Sequence, residues 1–497
     1  MGIQNLPTTS PASNQSIAPP PAYLYERIAR FVSDLVERGA LKPGMRAPSL
    51  RSVASRFSVS LSTAVQAYRL LEDRGVIEAR PKSGFFVCRA GRETLGLPNV
   101  SAPSAKPARV TVSSGVINLM QHASDDRLVP LGCAIPSADL LAAGRLDRFL
   151  ARAARVKGTR YNTYSPAHGD PDLRQEICRR AARWGQSLAP DDVLITCGCT
   201  EALSIALSAV TRRGDVVAIE SPTYFGLLPV LENLDLQAFE LPTDPQHGVS
   251  VDALEAVLKR GTVRACLLSS SFNNPLGCTV PEERKRVIAA LLDRYGVPLI
   301  EDDIYGDIHF GAERPSPFMA VSPHTDILYC SSFSKTVAPG YRIGWLAAPR
   351  HMKKALEVKF AVSLCGPALT QAALADFLSS GGYDGHLRRI RRVFAENIAH
   401  MRQTIAEAFP EATRVSRPAG GFVLWLELPD GVDGRRLAEA ALEDGICIAP
   451  GDAFTSGDRY RNCIRLSCGH IWDDRLDRAV RRLGALTAQA AAGTTRR

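Results

Sequence analysis

The sequence predicts a multidomain protein in which a small helical domain with a β-hairpin precedes a large α/β domain. At 497 residues the chain is too long for a single hydrophobic core. Residues 20–88 show apolar positions at helical spacing, followed by two short strand-like runs. Between residues 115 and 490, helical segments alternate with apolar strands, a pattern typical of a mainly parallel sheet.

Composition narrows the functional class. Hydrophobic residues make up 45% and charged residues 22%, as in ordinary soluble proteins. No run of eighteen apolar residues and no N-terminal signal pattern is present, so we expect a cytoplasmic protein without a membrane partner. The twelve cysteines are scattered and none follows zinc-finger spacing. We therefore expect reduced thiols and no metal site.

Positive charge is concentrated near the N-terminus. The chain carries a net charge of +9, and residues 20–92 hold thirteen Lys and Arg against six Asp and Glu. This short segment accounts for most of the excess, which favours a polyanionic partner such as double-stranded DNA.

Residues 1–19 have a composition typical of disorder, and residues 20–88 carry the pattern of a small folded domain. The stretches "YLYERIARFVSDLVERGAL", "SLRSVASRF" and "LSTAVQAYRLLEDRG" each show helical periodicity, and "VIEARPKSGFFV" predicts a hairpin. Three helices and a hairpin are the order of a winged helix-turn-helix, although a small helical docking domain is the alternative. Polar side chains at the start of the third helix favour DNA, where the predicted contacts are Arg51, Ser60, Ser62, Thr63, Gln66, Arg80 and Lys82.

The stretch "APSLRSVASRFSVSLSTAVQAYRLLEDRGVIEARPKSGFFV" resembles the DNA-binding domain of GntR-type regulators. It differs at Ala47, where the family usually has Leu, and at Leu61, where it usually has Arg. Residues 89–114 are rich in Pro, Ser and Ala without periodicity and are predicted to be a linker. The large domain is expected over residues 115–490.

The stretch "CSSFSKTVAPGYRIGW" points to the chemistry of the large domain. Lys335 follows an apolar strand, in a loop whose hydroxyls, including Ser332, can donate to an anion. Arg342 adds a planar fork suited to phosphate. A lysine beside a phosphate site suggests covalent attachment of pyridoxal 5'-phosphate.

Other strand ends supply the groups that this cofactor needs. "VPLIEDDIYGD" offers Asp302 as a partner for the pyridinium nitrogen and Tyr305 as a donor to the phenolic oxygen. "SFNNPLG" places Asn274 near the same oxygen, and "ESPTYFG" offers Tyr224 as a stacking ring. The helix beginning at Cys199 and Thr200 can bind phosphate with its amides. Arg465 in "NCIRLSCG" can bind a substrate carboxylate.

The order of these motifs over residues 128–485 resembles fold-type I aminotransferases of the aspartate aminotransferase class. The resemblance implies that Lys335 is the catalytic lysine and that the groups named above keep the roles given. It also implies that Tyr164 in "YNTYSPAHGDPDLR" reaches the cofactor phosphate of the neighbouring subunit in a homodimer. Related proteins often carry Ser where Cys199 stands.

Together the two parts resemble the MocR branch of GntR-type regulators. We expect a transcription regulator that binds DNA through its first domain and senses pyridoxal phosphate, an amino acid or an amine through its second. A working aminotransferase with a vestigial DNA-binding domain is the alternative. A regulator whose large domain has lost the cofactor is disfavoured because every expected ligand is present.

Overall fold

The structure is a computed structural model that divides the chain into two compact units, Met1–Glu93 and Thr94–Arg497. It describes residues 24–42, 44–73, 76–80, 84–87, 95–111, 119, 121–122 and 125–494. The segment 1–19 and Lys82 lie outside these residues. No helix within the described ranges is long and apolar enough to cross a membrane.

The first unit, called the head here, has the predicted order of three helices and a hairpin. Its elements are α1 Leu24–Glu37, α2 Leu50–Phe57, α3 Leu61–Asp73, β1 Ile77–Arg80 and β2 Gly84–Val87. The side chain of Ser49 caps α2 by accepting from the amide of Ser52 at 3.1 Å. Ser58 then adopts a left-handed backbone and turns the chain toward α3. Apolar side chains of all three helices form one small core with Ile77 of the hairpin.

The second unit, called the body here, is built on a nine-stranded mixed sheet. Its strand order is β3-β7-β6-β9-β10-β11-β12-β5, with β8 paired to β7. The strands are β3 Ala108–Arg109, β5 Val193–Thr196, β6 Val216–Ser221, β7 Gln237–Asp244, β8 Gly248–Val249, β9 Val263–Leu268, β10 Leu299–Asp302, β11 Ile327–Ser332 and β12 Gly344–Ala347. Strands β7, β6, β9, β10 and β11 run parallel, and β12 is antiparallel to both β11 and β5. β6, β10, β11, β12 and β5 are buried along their whole length, which is why they read as continuous apolar runs.

Helices surround this sheet and connect it to a smaller one. They are α4 Ala143–Lys157, α5 Pro171–Arg183, α6 Cys199–Val210, α7 Leu228–Asn233, α8 Val251–Leu258, α9 Glu282–Tyr295, α10 Phe318–Val321, α11 Met352–Val362, α12 Ala368–Ser379, α13 Gly382–Ala408, α14 Gly434–Glu443 and α15 Asp474–Thr494. The smaller sheet is antiparallel, in the order β13-β14-β17-β16, and a separate parallel pair joins β15 to β4. Their bounds are β4 Val129–Pro130, β13 Arg414–Val415, β14 Val423–Glu427, β15 Ile446–Cys447, β16 Ala449–Pro450 and β17 Cys463–Ser467.

Part of the predicted linker 89–114 is attached to the body. The side-chain amide and the backbone amide of Asn99 both donate to Glu427, each at 2.7 Å. The hydroxyl of Ser101 donates to the carbonyl of Ser221 at 2.7 Å, and β3 pairs with β7. Residues 95–111 therefore follow a defined course on the body, because polar groups in this unperiodic stretch find partners far away in sequence.

Candidate functional site

A cavity of about 410 Å³ lies at the carboxyl ends of the parallel strands of the body. This edge is where ligands bind in open α/β sheets. Eight residues of the predicted site line this cavity together, namely Cys199, Thr200, Tyr224, Asn274, Asp302, Tyr305, Lys335 and Arg342.

Lys335 lies three residues beyond the end of β11 and points its amine into this cavity. The Nζ atom donates to the carbonyl of Ala134 at 2.7 Å. Burial, followed by the positive charge of Arg465, lowers the pKa of Lys335 from 10.5 to about 8. About a tenth of the amine is therefore neutral at pH 7, and the neutral amine is the form that attacks a carbonyl carbon.

Asp302 ends β10 and is buried in the cavity wall. Its Oδ1 atom accepts a hydrogen bond from the thiol of Cys199 at 3.4 Å. Burial raises the pKa of Asp302 to about 6, while the thiol contact opposes that rise. A cationic group placed against this carboxylate would compensate the cost of burying its charge.

Gly198, the residue before α6, lies against the guanidinium of Arg342 at the N-terminus of that helix. Gly198 has a φ of +80°, and a Cβ atom there would lie 2.7 Å from Nη2 of Arg342. The same Nη2 atom donates to the carbonyl of Cys197 at 3.0 Å. Glycine thus allows a guanidinium, helix amides and the hydroxyl of Thr200 to converge, which is the chemistry of a phosphate site.

The remaining wall carries polar aromatic and amide groups. Burial raises the pKa of Tyr224 to about 12 and also raises that of Tyr305, so both phenols stay protonated and can donate. Tyr305 lies beside Asn274, whose Oδ1 atom is buried and meets no hydrogen-bond partner in the described ranges. These groups are available to an oxygen-bearing ligand.

Arg465 on β17 is fully buried and does not itself line the cavity. Its Nη2 atom donates to the carbonyl of Gly132, whereas Nε and Nη1 have no hydrogen-bond partner among the described residues. The guanidinium lies against the rings of Phe225 and Phe454, at 5.8 and 5.4 Å from their centroids. Burial lowers its pKa, and two unpaired donors in this setting favour binding of an anion.

Two predicted cofactor residues lie elsewhere. The Oγ atom of Ser332 donates to Oγ of Ser334 at 2.8 Å and accepts from its amide, and Ser334 lines the cavity instead. Tyr164 is 83% exposed and belongs to no wall of this cavity within its own chain. Its exposure is compatible with a role toward a second subunit.

Glu220 is a site residue that the sequence did not single out. It lines the cavity near the end of β6, and its Oε2 atom accepts from the amide of Ser269 at 3.1 Å. Within the part of the chain that the structure describes, Oε1 has no hydrogen-bond partner, and burial raises the pKa of Glu220 to about 8. Its position four residues before Tyr224 in the same strand-end motif was the available signal.

The predicted DNA contacts of the head lie around the start of α3. The hydroxyl of Ser60 caps α3, accepting from the amide of Thr63 at 3.2 Å, and contacts the hydroxyls of Ser62 and Thr63 at 2.7 and 2.8 Å. Gln66 is exposed one turn later, and Arg51 is exposed on α2. The backbone of Arg80 pairs with Gly84 in the hairpin, while its side chain lies outside the described part of the head.

Arg69 extends this face of α3 and was not predicted. It is exposed three residues after Gln66, so Ser62, Gln66 and Arg69 lie on one side of the helix at spacings of four and three. Periodicity along α3 was the signal that would have found it. Leu61, where the GntR pattern usually has Arg, is 50% exposed on the same helix.

Comparison with known proteins assigns both units. The family model for aminotransferase class I and II matches residues 139–483, and that for bacterial regulatory proteins of the gntR family matches residues 24–87. The chain is 37% identical over 462 residues to the HTH-type transcriptional regulator YdcR of Escherichia coli, covering 93% of this chain and 98% of the relative. It is 32% identical over 355 residues to 2-aminoadipate transaminase of Thermus thermophilus, covering 70% and 87%.

A solved structure gives the same assignment for the body. The α-aminoadipate aminotransferase LysN of Thermus thermophilus, complexed with N-(5'-phosphopyridoxyl)-L-leucine, matches with a TM-score of 0.71 and 29% identity over 76% of this chain and 96% of that one. The predicted fold class, a winged helix-turn-helix joined to a fold-type I α/β transferase, is confirmed. The chain therefore belongs to the MocR-type regulators, in which a GntR-type DNA-binding domain is fused to a domain of the aminotransferase class I and II family.

Proposed function

We propose that this regulator binds pyridoxal phosphate in the cavity of its body and that an amino acid or amine reacting there changes its affinity for DNA. The observation that carries the proposal is the convergence of Lys335, Asp302 and Arg342 on one cavity. An amine, a carboxylate and a guanidinium match the aldehyde, the ring nitrogen and the phosphate of this cofactor. When bound, it supplies an aldehyde for amines and a ring that withdraws electrons.

The residues present fit the cofactor. Glycine at position 198 lets the guanidinium of Arg342 lie against the N-terminus of α6, where a phosphate could accept from both. The protonated phenol of Tyr305 can donate to the phenolic oxygen of the cofactor, and Asn274 offers its side-chain amide beside that phenol. Tyr224 supports the proposal as a ring in the same wall.

Two side chains, Arg465 and Lys335, support a particular class of effector. Nε and Nη1 of Arg465 are two buried donors without a partner among the described residues, and each can donate to an oxygen of a carboxylate. Lys335 holds or releases a proton at Nζ near neutral pH. An α-amino acid presents both a carboxylate and an amine, so we propose this class ahead of simple amines.

The first test is an absorption titration of the full-length protein with pyridoxal phosphate. We expect a new visible band at one equivalent per chain, and borohydride should fix the cofactor covalently. Lys335→Ala should abolish that covalent attachment, whereas Lys353→Ala, at an exposed position on α11, should not. A wild-type protein that takes up no cofactor contradicts the proposal.

The second test links the cavity to DNA. Anisotropy titrations of a promoter-proximal duplex, with and without cofactor and individual amino acids, should show a changed affinity for at least one amino acid. Ligands shift such an equilibrium only if they favour one DNA-binding state over another. Rapid turnover of an amino donor by a protein that prefers no duplex would instead favour the aminotransferase alternative.

A further inference from the structure

We infer that the body holds a second ligand site, an arginine-lined cleft that takes a small anion bearing several phosphate or carboxylate groups. The cleft has a volume of about 730 Å³ and lies between α5, the loop after β10, and α13. It is called the arginine cleft here and is defined by its charged lining residues, Arg180, Arg183, Asp307, Arg314, Asp384, Arg388, Arg391 and Arg392. This inference goes beyond the proposed function and does not depend on it.

The arginine cleft is separate from the cavity lined by Lys335, Asp302 and Arg342, which is called the cofactor cavity here. The two share no lining residue. Asp302 lines the cofactor cavity, whereas the carboxylate of the next residue, Asp303, pairs with Arg314 of the cleft at 2.5 Å. Consecutive residues at the end of β10 thus serve opposite sides, as expected for a strand. The cleft is therefore not an extension of the first site.

The two carboxylates of the cleft are already neutralised by its deeper arginines. Asp384 pairs with Arg180 at 3.0 Å and with Arg183 at 2.7 Å. Asp307 pairs with Arg314 at 2.9 Å and lies 3.6 Å from Arg180. With Asp303 counted against Arg314, six arginines face three aspartates, which leaves an excess of three positive charges at the cleft.

That excess lies on one face of α13. Arg388, Arg391 and Arg392 occupy positions three and four residues apart, and Ala395 continues the face with a short side chain that leaves room. The Nε atom of Arg391 donates to the carbonyl of Asp307 at 2.7 Å, while the nearest carboxylate to Arg392 is that of Glu396, at 3.8 Å. These guanidinium groups have donors to spare for a ligand.

Electrostatics supports the same conclusion. Burial lowers the pKa of Arg391 most, Asp307 and the phenol of Tyr383 oppose that effect, and repulsion by Arg180 and Arg314 adds to it. A half-buried cation with two cationic neighbours gains from an added negative charge. A multivalent anion would relieve several such repulsions at once, which a monovalent ion cannot.

The shape of the cleft favours a small anion over the backbone of a duplex. The side chains of Arg180 and Arg314 are only 15% and 11% exposed, so they form a floor that phosphates on a convex duplex cannot reach. Its volume falls in the range of roughly 300–1,000 Å³ that is usual for small-molecule sites. Phosphate and carboxylate oxygens both match the fork of arginine.

The test is isothermal titration calorimetry of the full-length protein with inorganic tripolyphosphate, citrate, and sodium chloride at matched ionic strength. We expect one tripolyphosphate per chain and no saturable heat from chloride. The citrate titration tells whether carboxylates substitute for phosphates. The double variant Arg388→Gln/Arg392→Gln should weaken tripolyphosphate binding at least tenfold, and because both side chains are exposed it should fold normally.

Two controls locate the binding. Arg148→Gln/Arg152→Gln removes two exposed arginines at the same spacing on α4, and Arg342→Gln alters the cofactor cavity. Both should keep wild-type affinity for tripolyphosphate. Equal loss in the α4 control, loss only in Arg342→Gln, or binding that survives in the α13 variant would each overturn the inference. If the α13 variant loses affinity for the duplex and the wild-type protein binds none of the anions, the cleft is a DNA-binding surface instead.

Discussion

The thiol of Cys199 donates a hydrogen bond to Oδ1 of Asp302 across 3.4 Å, joining the first residue of α6 to the last residue of β10. Both side chains are buried in the wall of the cofactor cavity. The contact stabilises the charged carboxylate and so holds down a pKa that burial raises to about 6. The side chain of Cys199 thus acts on Asp302, whereas the sequence suggested a role only for the backbone amide of Cys199.

Replacing Cys199 by Ala should weaken cofactor binding, more at low pH than at high pH. Without the thiol, the pKa of Asp302 rises further, so its carboxylate is lost earlier as the pH falls. We expect roughly a threefold to tenfold loss of pyridoxal phosphate affinity at pH 6, since a thiol is a weak donor, and little change at pH 8. Absorption titrations at the two pH values check this. Cys199→Ser, which keeps a donor, should behave like wild type.

Lys335 should capture pyridoxal phosphate with an unusual pH profile. Its pKa of about 8 lies below the ordinary 10.5, so the neutral amine becomes the major form above pH 8. The rate of capture should therefore rise between about pH 7 and 9 and then level off. Stopped-flow absorbance of the full-length protein measures it.

Arg465→Met tests the cause of that profile. Removing the positive charge of Arg465 relieves repulsion of the Lys335 ammonium, so the pKa of the lysine should rise and the midpoint should move to higher pH. Arg389→Met on α13, at a position away from the cofactor cavity, serves as the control and should keep the midpoint. An unchanged midpoint in Arg465→Met would show that burial alone sets the profile.

Much of the cofactor cavity was predictable because its groups follow apolar strands. Lys335 after β11 and Asp302 at the end of β10 belong to neighbouring parallel strands, so their carboxyl ends had to meet. The winged helix-turn-helix was equally predictable, since each helix carries its own periodicity and a serine side chain caps both α2 and α3.

Long-range partners were not predictable from local patterns. Asn99 lies in a stretch without periodicity, and only the fold brings Glu427 within hydrogen-bonding distance of it. Glu220 follows an apolar strand, and nothing in its local sequence indicates that it is buried. The arginines of α13 have the spacing of a solvated helix face, and only the fold adds α5 and the loop after β10 that complete the cleft.

We expect a homodimer in which Tyr164 completes the cofactor site of the neighbouring subunit. Tyr164 is 83% exposed, and the apolar side chains of Phe360 and Val362 are 66% and 68% exposed, as surfaces buried by a partner are. Sedimentation should show a dimer. Tyr164→Phe should weaken cofactor binding about tenfold and leave the dimer intact. A monomer at all concentrations that binds cofactor fully would contradict this prediction.

DNA binding by the head should depend steeply on salt. Contacts between its arginines and phosphates release counterions, so affinity for a promoter-proximal duplex should fall as salt rises. Arg51→Gln should weaken binding to all duplexes about equally, because a phosphate contact carries no sequence information. Arg30→Gln, at an exposed position on α1 outside the α2–α3 pair, is the charge-matched control and should have a smaller effect.

Substitutions on the exposed face of α3 should change which sequence is preferred. Ser62→Ala and Gln66→Ala remove groups able to reach base edges, so we expect losses of about 1–3 kcal/mol on the preferred duplex and almost none on random DNA. Since Leu61 replaces a usual arginine, one head should bind modestly, and two heads on one duplex should supply the rest through effective concentration. Anisotropy with full and half operators measures both effects. Equal losses of affinity on every duplex would show that α3 contacts phosphates and does not read bases.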